Sequence, residues 1–272
     1  MTELPPPPPG GYPPPPAPDG GGVPPPAGDY RPSDPYGVGA GYNVGEAFSW
    51  AWNKFTQNAL PLIVGTVVLA LVVSVLQSIT VLLTSALDPS FAYEDYGFGL
   101  VFVTFGIIGI IVSVLGSLVT LVLSAAVTSA YIGGVLDIAD GRPVTIESFF
   151  KPRNVVSVVI ASVLVGIITT IGTLLCIVPG VIASVFLMFT SVALVERNLP
   201  PTEGMKASYE LTKGRFGDAF LALVVMVAIT LVGALACGIG LLVAIPVAAL
   251  FLVYTYRRFS GGNVASTTAQ AI

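Results

Sequence analysis

Long apolar stretches and short polar breaks alternate along most of this chain. Apolar residues run through 60–85, 98–139, 155–195 and 217–256 almost without a charge. A helix that crosses a bilayer needs about 20 such residues. The stretches 155–195 and 217–256 therefore hold two spans each, broken at "CIVPG" and "CGIG". The expected spans are about 60–85, 98–138, 155–175, 179–196, 217–236 and 239–257. The stretch 98–139 reads as one long helix, tilted or kinked near Gly106 and Gly109.

Ahead of the first span, "NVGEAFSWAWNKFTQN" places Phe48, Trp52, Phe55 and Ala59 at helical spacing. Asn43 is a fitting N-cap, with Glu46 at the reciprocal position. The spacing predicts a helix over 44–58 that lies in the membrane interface, anchored by Trp50, Trp52 and Lys54. A second such helix, or a docking helix for a partner, is predicted over Thr202–Lys213, with a Thr cap, a Lys206/Glu210 pair and Tyr209 as its anchor. "AFSWAWNKF", "IESFFKPRN" and "KASYELTKGRF" each join a serine, a following aromatic and a nearby lysine, and each immediately precedes an outward span. The plan they suggest is three copies of in-plane element, span out, short turn and span back.

Residues 1–42 break the apolar pattern altogether. They hold 15 of the 23 prolines. Pro5–Pro9, Pro13–Pro16 and Pro24–Pro26 favour polyproline II, and the glycines between them are joints. This arm is expected to be disordered. Pro5, Pro9, Tyr12, Pro13, Pro16, Pro24 and Pro26 are its candidate partner-binding residues. The organisation is thus a tail over 1–42, a six-helix membrane domain over 43–258 and a short tail over 259–272. The fold class is all-α integral membrane: a six-transmembrane-helix bundle with interfacial amphipathic helices and a disordered Pro/Gly-rich N-terminal tail.

Composition agrees: 54% of residues are hydrophobic and 10% charged, with a mean hydropathy of +0.88. The placement of charge adds the sidedness. With six spans, all 11 lysines and arginines fall on one side, from Arg31 and Lys54 to Arg257 and Arg258. A seventh span inside 98–139 would scatter them over both faces. By the positive-inside rule both termini are cytoplasmic. The net charge of −4 gives no argument for nucleic acid.

Catalytic chemistry is scarce. The chain has no histidine, and no span carries an ionisable side chain at its middle. That counts against a proton relay or an ion pump. No catalytic, cofactor or metal residues are expected. Asp137 reads as the end of the second span. Asp88, Glu94 and Asp95 read as a solvated loop. Ser74, Ser78 and Ser85 share a face of the first span; Gly109, Ser113, Gly116, Ser117, Thr120 and Ser124 share one on the second; Ser162, Gly166, Thr169 and Thr173 share one on the third. Small residues let helices approach closely, so packing is the reading and a lined polar cavity its alternative. Pro179–Gly180 and Gly238–Gly240 are the expected far-side turns, and Pro246 is expected to kink the last span. Cys176 and Cys237 fall at equivalent turns, where a disulfide and two free thiols are both open.

The Pro/Gly/Tyr-rich head, "GEAFSWAWNKF", "GGVLDIADGRPV", "LLCIVPGVIASVFLMFTSVALVERN" and "ASYELTKGRFGDAF" together resemble mycobacterial proline- and glycine-rich transmembrane proteins. More distantly, the last 230 residues resemble the bacterial six-helix membrane family of unknown function that includes the membrane domain of some glycerophosphodiester phosphodiesterases. The resemblance implies a bacterial plasma membrane and no settled activity, and since the phosphodiesterase catalytic domain has no counterpart here, its enzymatic function does not carry over. The expected function is a non-enzymatic scaffold whose proline-rich tail recruits a cytoplasmic protein. The alternative is a transporter, or a subunit of one, for a lipid or a neutral or amphipathic small molecule. Expected partners are the lipid bilayer, a tail-binding protein and other copies of the chain.

Overall fold

The structure, a computed structural model, describes residues 42–86, 98–236 and 238–266. The tail prolines with Tyr12, the acidic loop residues Asp88, Glu94 and Asp95, and Cys237 lie outside the described residues. Among those described, six helical stretches are long and apolar enough to cross a membrane, and the protein is a multi-pass membrane protein.

The elements are helices α1 (Val44–Gln57), α2 (Ala59–Ala86), α3 (Phe98–Ala139), a 3-10 turn (Ile146–Phe150), α4 (Val155–Leu175), α5 (Ile177–Leu187), α6 (Thr190–Arg197), α7 (Pro201–Lys213), α8 (Phe216–Leu235) and α9 (Leu241–Ser260). The spans pair into hairpins α2–α3, α4–α5/α6 and α8–α9. A short amphipathic element, α1, the 3-10 turn or α7, precedes each.

Asn43 caps α1, its side chain accepting from Gly45 N–H and Glu46 N–H. Glu46 does not reach back to the cap: it accepts from the Tyr254 hydroxyl at 2.9 Å. α7 begins one residue before the expected Thr202 cap, with Pro200 in the cap position and Pro201 as its first residue. Proline suits that position because its missing N–H would be unpaired there anyway.

The far-side turns differ in an instructive way. The α4–α5 connection is one residue, Cys176, so Pro179 and Gly180 sit inside α5. Proline in a first helical turn forfeits no hydrogen bond. Gly180 is a contact, since a Cβ there would lie 2.9 Å from the Thr173 backbone. In the α8–α9 hairpin the turn residue is Gly238, with φ +78°, and Gly240 is the close-approach residue against Gly233. The stretch 98–139 forms one unbroken helix from Phe98 to Ala139. Its 42 residues span about 63 Å, twice a hydrocarbon core of about 30 Å.

The three units close into a ring. α1, which opens the first unit, packs on α9 of the third. The 3-10 turn of the second packs on α2 and α3 of the first. α7 of the third packs on α5 and α6 of the second. The spans follow the same rule: α3 meets α4, α5 meets α8, and α9 meets α2. Each unit thus leans on its predecessor, and the last receives the first. The serine–aromatic repeat supplies the matching contacts. Trp50 packs on Tyr254 with ring centroids 5.1 Å apart, Phe149 on Tyr131 at 5.5 Å, and Tyr209 on Phe186 at 5.0 Å.

Candidate functional site

Polar chemistry gathers where the three return spans end. Asp137 and Asp140 stand on the last turn of α3 and just beyond it, Glu196 near the end of α6, and Arg257 in the last turn of α9. Arg257 is the hub. Its Nη2 lies 2.8 Å from Asp140 and its Nε 2.5 Å from Glu196, so one guanidinium joins all three hairpins. Its side chain is 12% exposed. Nη1 donates to the Asn263 carbonyl. Asp137 faces Arg153 at 2.7 Å and Arg142 at 3.1 Å. Three carboxylates therefore meet three guanidiniums, and the cluster is internally neutral. Among the described residues no group of carboxylates and cysteines is placed to hold a metal ion.

The surrounding contacts hold these ends in place. Asn154 and Asn198 take left-handed backbone conformations (φ 54° and 50°), which asparagine tolerates better than most residues. The Asn154 amide donates to the Leu194 and Leu199 carbonyls, tying the start of α4 to α6. The Ser129 hydroxyl of α3 is bonded to both the N–H and the carbonyl of Arg153. Ser208 of α7 accepts from Phe189 N–H and donates to the Phe186 carbonyl, so it bridges the break between α5 and α6. Tyr42 bonds Thr255 at 2.8 Å, and burial pushes its hydroxyl up to about 12.

The four expected interface anchors divide into two pairs. Trp50 and Lys54 are buried. Trp50 donates to the Ala265 carbonyl and Lys54 to the Ser266 carbonyl. Burial holds the Lys54 ammonium below its ordinary range. Residues 265 and 266 are thereby stitched to α1, and Ala265 N–H also donates to the Ala139 carbonyl of α3. Trp52 and Tyr209 present exposed rings. Asp137, read as a plain helix end, is instead the second centre of the ionic cluster. Asp140, Glu196 and Arg257 were missed altogether. The signal for them was weak: acids and bases at the ends of return spans, 56 and 61 residues apart.

Members of the small polar stripes line open surface recesses (Ser113 and Ser117 one, Thr169 and Thr173 another, Ser74 a third), and not all serve as contacts. The hydroxyls of Ser78, Ser113, Ser117, Thr120, Thr169 and Thr173 each donate to the carbonyl four residues back. Gly116 does pack, against the Thr80 side chain, whereas Gly109 and Gly166 face open space. Two apolar crevices open sideways. One, of about 570 Å³, lies between α2, α3, α8 and α9 over the Tyr131–Thr66 hydroxyl pair. The other, of about 480 Å³, lies along α8 and α9 beside Phe48 and Trp52. Cys176 is exposed at its turn.

Over 238 residues the chain is 38% identical to "Uncharacterized protein Rv2560" of Mycobacterium tuberculosis H37Rv and to "Uncharacterized protein Mb2590" of Mycobacterium bovis. The match covers 85% of this chain and 73% of each relative. No family model matches the chain, and no solved structure matches it.

Proposed function

We propose that this chain, which belongs to the mycobacterial membrane-protein family of Rv2560, is a non-enzymatic scaffold of the plasma membrane. Both termini are cytoplasmic in this reading, as the one-sided distribution of lysine and arginine requires. The proline-rich tail recruits a cytoplasmic protein, because preformed polyproline II docks into aromatic-lined grooves at low entropic cost. No cofactor takes part. The distant kinship with the phosphodiesterase-linked membrane domain is part of the proposal and brings no catalytic residue with it.

The observation that carries the reading is the neutral ionic cluster. Its carboxylates and guanidiniums face one another and fasten three hairpins, which makes one end of the bundle a firm base for a recruiting arm. Deleting residues 2–42 and repeating proximity labelling tests it: the set of labelled neighbours contracts, and an unchanged set defeats the recruiting role. A reporter fused at residue 2 and active outside the cell would overturn the orientation. The sideways crevices favour a second reading, a transporter or transporter subunit for a lipid or amphipathic cargo. Flux of labelled lipid across vesicles that depends on the protein would select it.

A further inference from the structure

The crevice along α8 and α9 is shaped for one kind of occupant. Its walls are Val225, Ile229 and Val232 of α8 with Val243 and Val247 of α9, and no charged side chain lines it. It follows α8 from Val225 to Ala236, a run of about 17 Å. Sites for compact polar ligands carry a few placed polar groups that fix orientation, and the described lining of this one is almost wholly apolar. Both walls belong to membrane-spanning helices, so the medium at its open side is hydrocarbon.

The basic end of the crevice is bounded by α1. That helix has two aromatic faces. Trp50 and Phe55 are buried against the bundle, at 3% and 6% exposure, whereas Phe48 and Trp52 are 40% and 45% exposed. Phe48 and Trp52 lie nearly parallel, at 18° with centroids 6.4 Å apart, and together form a flat lip. Aromatic rings of this kind sit at headgroup level. A narrow apolar furrow that starts at such a lip and runs into the bilayer fits an aliphatic chain whose polar end stays at the interface.

We propose that this furrow is a binding site for one acyl chain of a membrane phospholipid, held between the Phe48–Trp52 lip and the α8–α9 hairpin. The inference goes beyond the scaffold reading and is separable from it, since the described lining residues come from α1, α8, α9 and the turn between α8 and α9. Trp52 is its built-in reporter: the chain has two tryptophans, and the other is buried. The full chain in detergent micelles is titrated with phosphatidylglycerol carrying brominated acyl chains, which quench indole at contact. Trp52 emission is isolated as the difference between the unsubstituted protein and Trp52→Phe. The expected result is quenching that saturates near one lipid per protein. Ala228→Phe fills the furrow from an exposed position and raises the half-quenching concentration about tenfold, a factor worth about 1.4 kcal/mol. Leu231→Phe, on the same helix outside the furrow, leaves it unchanged. Deletion of 2–42 also leaves it unchanged, whatever that deletion does to recruitment. Quenching that rises in proportion to lipid in both the unsubstituted protein and Ala228→Phe overturns the site. So does saturation by a brominated free fatty acid but not by the phospholipid.

Discussion

α3 and α9 are both return spans, yet they are held in opposite ways. More than half of the most apolar window of α9 is buried in protein (56%), while in that of α3 no residue is fully buried. Their ion pair lies at the basic end. There Ala130, Tyr131, Val135, Leu136 and Ala139 of α3 are buried, and Asp140, just beyond its last turn, reaches Arg257 of α9. Toward the far end, Ile107, Ile110, Val114, Leu115, Leu118 and Val122 of α3 are exposed. In lipid, apolar surface gains little by meeting other apolar surface, so packing and polar contacts must supply specificity. This chain concentrates its polar contacts at one end, while the far end relies on close approach within hairpins, as at Gly180 on Thr173 and Gly240 on Gly233.

Substitutions at the two ends should therefore differ sharply. The largest effect is expected at Phe149, fully buried and pressed between Gly65 and Gly134. Phe149→Ala should cost about 4 kcal/mol of stability, read as a fall in the thermal transition of the protein in detergent. Arg257→Met comes next. It leaves Asp140 and Glu196 without their shared counter-charge and should cost about 3 kcal/mol, partly recovered when both acids are also made neutral amides. A transition unmoved by Arg257→Met would show that the cluster does not fasten the hairpins. Ser208→Ala should cost about 1–2 kcal/mol, because the buried Phe189 N–H loses its partner. Leu115→Ala on the exposed stretch of α3 should stay within about 0.5 kcal/mol, and a larger loss there would break the comparison.

The smallest effect concerns alkaline pH. The Tyr42 hydroxyl titrates near 12 in the folded protein and near 10 when unfolded. Its contribution to stability is complete below pH 10 and is lost as pH rises toward 12. Tyr42→Phe should flatten that part of the stability profile.

Much of this was legible in the sequence, for physical reasons. Span length and hydropathy mark the six crossings, since the bilayer imposes both. The serine–aromatic repeat marked the short element that precedes each outward span, but not the contacts that Trp50, Phe149 and Tyr209 make. What stayed hidden was which hairpin each aromatic would meet. Nothing near Trp50 says that Tyr254, 204 residues on, is its neighbour. The Pro179–Gly180 pair misled because proline starts helices as readily as turns, and glycine serves close approach as well as bends. The ionic cluster was missed because its members lie in four separate segments.

The ring has a consequence for the order of assembly in the cell. Chains emerge from the amino end, and early segments generally organise before later ones exist. Here α1 is among the first helices made, and its resting place, α9 with residues 265 and 266, is among the last. Until then Trp50 and Lys54 have no seat, and the two earlier hairpins stand in the membrane with the circle unclosed. The first helix is the latch, and the final hairpin is the catch it must wait for.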